Sequence, residues 1–179
     1  MQDRDHAKAV ALLVGVMALL VSLDHMAGCR IASVCSAGIG PDATLVSRLL
    51  HPLVHVGLLH AVVNVYVLWQ VVFFCDIRCR HLLGAFVVAC CCPSWVAAWP
   101  CCWIHPDAGP KSVVGLSGMV FALIGMQMHR WPRRWRCCAL LLLWQVPGLC
   151  AGGVAVGMHL YCFVAGVALV RASRVIRSR

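Results

Sequence analysis

The sequence predicts an all-α fold, a polytopic membrane protein of six spanning helices. Three observations carry that reading. Hydrophobic residues make up 62% of the 179-residue chain and charged residues only 12%, too few polar groups to build a water-facing surface. Several apolar runs approach or exceed the ~20 residues that a spanning helix needs. The basic residues sit in short clusters between those runs, as they do where charge sets topology. By length the chain is one domain, residues 1–179.

Taken in order, the first apolar run is Ala9 to Leu23, fifteen residues. It is short for a span unless Lys8 snorkels. A charged start and a short core also fit a signal peptide, but its removal would upset the charge pattern below. Asp24 to Leu50 reads as a mixed loop with Gly28, Gly38, Gly40 and Pro41. The second span covers about 52–74, with His51, His55, His60 and Asn64 at and beyond its start. A charged turn, Cys75 to His81, leads to the third span at about 82–104, interrupted by Pro93 and Pro100. After the polar loop His105 to Ser112 comes the fourth span, about 113–128, and then a basic turn with Trp131 and Trp135. From Cys137 to Val170 the chain stays apolar. As one helix that stretch would be ~51 Å long at ~1.5 Å per residue, against a hydrocarbon core of ~30 Å. Pro147, Gly148, Gly152 and Gly153 interrupt it, so it divides into spans at about 137–150 and 153–170.

Six spans place both termini on one face, and the basic residues test this. On the face of the termini fall Arg4, Lys8, Arg78, Arg80, the four arginines of 130–136 and the four from Arg171 onward. Opposite lie only Arg30, Arg48 and Lys111. The positive-inside rule then puts both termini in the cytoplasm, or in the matrix of a mitochondrion. The plasma membrane or an endomembrane is the default. The net charge of +9 reads as topology, not as a nucleic-acid surface, because no aromatic-interleaved basic patch accompanies it.

The thirteen cysteines form no metal signature. Adjacent pairs such as Cys101–Cys102 point different ways on a helix and rarely share a ligand, so most read as small apolar fillers. A disulfide involving Cys29 or Cys35 could form only where their face of the membrane is oxidising. Nine histidines raise the idea of a proton or metal carrier, but no paired acids accompany them.

The polar residues inside the spans share one depth. Ser117, between Gly115 and Gly118 in the fourth span, lies ~6 Å below the face opposite the termini. His159 of the sixth span lies ~9 Å below it. His60 and Asn64 are i, i+4 neighbours near the start of the second, on one helix face. Each has a bland alternative: a small-residue packing face at Ser117, an interhelical hydrogen-bonded pair at His60 and Asn64, a satisfied core histidine at 159. Their concurrence points to nucleophilic acyl transfer. A serine needs a base to take its proton, and His159 is placed for that. The acids lie in loops and in the N-terminal tail and there is no glutamate, so the expectation is a Ser–His dyad. Asn64, His60 and the Ser117 N–H would receive the oxyanion. This chemistry needs no cofactor and no metal.

These residues resemble the rhomboid intramembrane serine proteases. His51-x3-His55-x4-His60-x3-Asn64, Gly115-Leu116-Ser117-Gly118-x2-Phe121 and Gly157-x-His159-x6-Gly166 match the three motifs of that family, in its order. The resemblance covers nearly the whole chain and implies a six-span rhomboid-like bundle. It implies Ser117 as nucleophile, His159 as base, and His60 with Asn64 in the oxyanion hole. Phe121 would stack on His159, Gly115 and Gly118 would allow close approach, and His55 would hold the loop over the site. The family cleaves other membrane proteins in or near a spanning segment, so the implied partners are single-span or other membrane-protein substrates in the lipid bilayer. Three departures stand out. Cys162 occupies a position where the family usually has glycine, the Trp-Arg pair of the family's first loop is absent, and the fifth span is short. Cys162 motivates the alternative of a catalytically silent relative that binds or chaperones membrane clients.

Overall fold

The computed structural model describes residues 2–28, 38–99, 112–133, 136, 138–141, 143, 145–146 and 155–177. The loop 105–111, the glycines and proline of 147–153, and Cys29 and Cys35 lie outside the described residues. The described chain is helical. Its helices are α1 (Gln2–Met26), α2 (Leu45–Leu50), α3 (Leu58–Phe74), α4 (Cys79–Cys90), α5 (Ser94–Ala98), α6 (Ser117–Gln127) and α7 (Val156–Arg177). Single 3-10 turns follow α2 and α6, at His51–Leu53 and Met128–Arg130. The described positions between 136 and 146 are helical too. Among the described residues there is no strand, only an isolated antiparallel bridge between Ile39 and Val113.

α1 and the first eighteen residues of α7 are long and apolar enough to cross a membrane. The stretch Leu45–Leu53 with α3 passes the same test as a pair bent by 82°. That makes two candidate spans, or three, among the described residues. The second expected span, 52–74, begins with a 3-10 turn and becomes α-helical only at Leu58, because the chain is extended at Val54 and Gly57. The third is broken after Cys90: Pro93 has no N–H to continue the ladder and instead opens α5.

The pattern of exposure is that of a protein in lipid. α1 turns Leu13 and Leu20 outward, 61% and 60% exposed, and buries the small residues Ala7, Ala11, Gly15, Ala18 and Ser22. Small residues on the packing face let helix backbones approach where no hydrophobic drive between helices exists. Here they admit Trp69 of α3. Its indole N–H donates to the Ala11 carbonyl at 3.0 Å, which satisfies a donor that lipid cannot. A Cβ on Gly15 would stand 2.7 Å from that indole nitrogen.

α6 is the centre of the bundle. It packs against α7, α4 and α3, and ten of its residues, all but Phe121, are buried. A helix that is apolar all round belongs in such a position. Its contact with α7 is made at glycine. A side chain on Gly125 would run into the Phe163 carbonyl, and one on Gly166 into the Ala122 carbonyl. The two backbones therefore touch.

One end of the bundle is tied by charge. Asp76, in the turn after α3, pairs with Arg4 of α1 and with Arg130 at the end of α6, the latter at 2.9 Å. The amide of Gln127 donates to the Asp76 carbonyl at 3.5 Å. Ser117, ten residues earlier on α6, is thus ~15 Å away along the helix, toward the opposite end.

Two predictions follow from these contacts. Gly15→Val overpacks the α1–α3 seam and should cost about 1–3 kcal/mol, read as a lower melting temperature in detergent. The hydrogen bond from Arg130 holds the Asp76 carboxyl below its ordinary 3.8, against the opposing effect of burial and with help from the charges of Arg4, Arg130 and Arg78. A depressed carboxylate stabilises the fold above its unfolded value and loses that contribution as pH falls through its folded value. Melting temperature should accordingly drop as pH falls below about 4, and Asp76→Asn should flatten that part of the profile.

Candidate active site

Ser117 is the first residue of α6, not a residue inside a helix that starts at 113. The preceding backbone is diverted into other hydrogen bonds. Val113 exchanges both of its bonds with Ile39, at 2.9 and 3.1 Å. The Gly115 N–H donates to the His51 carbonyl at 2.8 Å. Gly115 has φ +116, a conformation that a side chain disfavours, and this turn delivers the chain into α6. Ser117 therefore stands where the first N–H groups of a helix lack intrahelical partners. Leu116 N–H is already committed, donating to His55 Nε2 at 3.2 Å.

His55 is fully buried, and its partners fix its tautomer. Because Nε2 accepts from Leu116, the ring proton sits on Nδ1. Ser22 gives its own hydroxyl proton to the Ala18 carbonyl at 2.6 Å, so its oxygen is free to accept from His55 Nδ1, 3.4 Å away. His55 thus links α1 to the loop that presents Ser117. His51, also fully buried, donates from Nδ1 to the Arg48 carbonyl at 2.6 Å. Arg48 in turn donates to the Cys90 and Cys92 carbonyls and to Ser94 Oγ, at 3.3, 2.8 and 2.8 Å. It ties the end of α4 to the start of α5, where helix carbonyls would otherwise be orphaned. Sequence reading missed Arg48. Its one signal was a basic residue on the face that carries few.

His60 and Asn64 lie in the first two turns of α3. His60 meets His55 edge-on, with ring centroids 5.1 Å apart. A Cβ added to Gly115 would stand 3.3 Å from His60 Cε1 and 3.2 Å from His55 Cδ2, so glycine at 115 is what admits both rings. Asn64 is buried, and its amide nitrogen has no hydrogen-bond partner among the described residues.

His159 is 7% exposed in the first turn of α7. Phe121, one turn beyond Ser117 on α6, lies flat against it, with centroids 4.3 Å apart and planes 7° from parallel. Its Nδ1 bonds to Gln145 Oε1 at 2.6 Å, and Gln145 is itself buried. His159 Nε2 has no hydrogen-bond partner among the described residues. Sequence reading passed over Gln145, although a lone amide in the apolar run 137–150 was a signal.

The remaining candidates are packing positions. Gly157 lets α7 sit against the Val96 and Trp99 carbonyls at α5, and Gly166 meets Ala122 as described above. Cys162 is fully buried, its sulfur 3.3 Å from the point where a Gly118 Cβ would be. Gly118 thus makes room for the larger residue across the seam, and the backbone contacts at Gly125 and Gly166 are retained. Cys75, Cys79, Cys90, Cys91, Cys92 and Cys162 form no disulfide, and among the described residues no group of three or more His, Cys, Asp or Glu is placed to hold a metal.

The fold and these residues define a helical membrane protein with a buried serine and histidine on two adjoining helices. The Rhomboid domain family matches residues 43–174; the chain belongs to the rhomboid family. None of the curated proteins matches it.

Gly115→Ala should destabilise the loop before Ser117 by about 1–3 kcal/mol, since it strains the backbone at a closed position. Gly57→Ala is the control, because that glycine has an extended φ of −169 and nothing within 4 Å, and its melting temperature should stay within ~2 °C of the parent.

Proposed function

We propose that this protein is an active intramembrane serine endopeptidase that cuts transmembrane segments of other membrane proteins. The observation that carries the proposal is His159: buried, stacked on Phe121, and holding an unpartnered Nε2 beside the helix that Ser117 begins. Membership of a family whose members are generally serine proteases supports it.

The Ser117 hydroxyl gives its proton to His159 Nε2 as Oγ attacks the scissile carbonyl carbon. The resulting oxyanion accepts hydrogen bonds from the Ser117 N–H, the Asn64 amide and His60. Collapse breaks the C–N bond, and His159 returns its proton to the leaving amine. Water, deprotonated by the same histidine, then hydrolyses the acyl-enzyme and frees Ser117. Asn64 suits its part because its donor has no competing partner among the described residues. His55 positions the loop rather than touching substrate.

In this reading the chain spans the membrane six times with both termini in the cytoplasm or matrix. Arg4, Asp76 and Arg130, joined at one end of the bundle, fit a single cytoplasmic face. Substrate water would then enter from the other face, where Ser117 begins α6.

Co-expression with a single-span reporter substrate tests the proposal. Wild type should release the cleaved ectodomain, and Ser117→Ala should release none above background. Equal release from both would exclude the protease. A silent, client-binding relative is the second reading, favoured by Cys162 at a position usually held by glycine. It predicts reporter capture without cleavage, unchanged in Ser117→Ala.

A further inference from the structure

We propose that Gln145 is the positioning residue of this site: its amide oxygen accepts the His159 Nδ1 proton and holds the ring in the tautomer whose Nε2 is a free acceptor. The catalytic consequence rests on the protease reading above; the tautomer does not.

Three observations on one ring converge. Gln145 is 5% exposed, and its Oε1 lies 2.6 Å from His159 Nδ1. Phe121 covers a face of the imidazole. The one ring nitrogen left is Nε2, buried and unpartnered among the described residues. A neutral imidazole has one N–H and one bare nitrogen. An amide oxygen at Nδ1 draws the proton there and leaves the lone pair on Nε2, the state a general base needs. With the proton on the other nitrogen, His159 could not take one from a hydroxyl.

A carboxylate is the common group for this task, but the acids of this chain are Asp3, Asp5, Asp24, Asp42, Asp76 and Asp107. None lies in α6, in α7 or in the apolar run that carries Gln145. An ionised acid beside His159 would be costly in a buried site within the membrane. Glutamine offers the same acceptor with no charge. It also comes from a third stretch of chain, so the base is held from α6 by stacking and from residue 145 by a hydrogen bond.

Nitrogen-15 spectra of histidine-labelled protein read the tautomer, with His159→Ala identifying the resonances. In wild type, Nδ1 should carry the proton and Nε2 should be bare. Gln145→Met keeps the volume and removes the acceptor; it should give a mixture of tautomers. A proton on Nε2 in wild type, or an unchanged tautomer in Gln145→Met, would overturn the proposal. In reporter cleavage, Gln145→Met should lower kcat by about 10–100-fold with KM within about twofold, and Gln145→Glu, which restores the acceptor, should recover most of the loss. Wild-type kcat in Gln145→Met would remove the catalytic role. If wild type itself fails to cleave, the protease reading falls, and the spectra still decide what Gln145 does.

Discussion

The arrangement depends on the backbone contact between α6 and α7. Gly125 against the Phe163 carbonyl and Gly166 against the Ala122 carbonyl bring two helices closer than any side chain would permit. In lipid, where hydrophobic drive between helices is weak, such packing must supply the association. It sets the register in which Phe121 stacks on His159. Gly118 extends the same seam: a Cβ there would meet Met158 Cε at 2.5 Å and the Cys162 sulfur at 3.3 Å.

Around that seam the polar groups are organised by satisfaction of hydrogen bonds. His51 Nδ1, both nitrogens of His55 and the Arg48 guanidinium bond to backbone atoms, to Ser22 and to Ser94. They hold a non-helical loop at membrane depth, which is tolerated only where protein satisfies the freed groups. Among the described residues, Asn64 Nδ2, His159 Nε2 and His51 Nε2 are left buried without a hydrogen-bond partner. Buried groups left unpaired are costly, and under the protease reading Asn64 Nδ2 and His159 Nε2 are the two that a substrate would engage.

Much of this was legible in the sequence. Composition gave a membrane protein, and Gly115 and Gly118 marked a close approach around Ser117. The spacing of His55, His60, Asn64, Ser117 and His159 carried the resemblance to rhomboids, which the family match bears out. Helix starts were not legible. Apolar runs locate hydrophobic chain, but where α3 and α6 begin is set by long-range hydrogen bonds: His55 to Leu116, Val113 to Ile39, Gly115 to His51. Nor does composition count the spans, since bends and breaks interrupt runs that look continuous. Gln145 was missed for a related reason. Attention went to carboxylates as partners for a histidine, and a neutral amide does the same bonding without leaving a charge pattern.

The most direct test is chemical. A fluorophosphonate forms a covalent bond to an activated serine and leaves unactivated hydroxyls alone. The purified protein, labelled in detergent and mapped by mass spectrometry, should carry the adduct on Ser117, and His159→Ala should abolish it. A folded wild type that takes up no label, or that labels on Ser117 equally well without His159, would contradict the account.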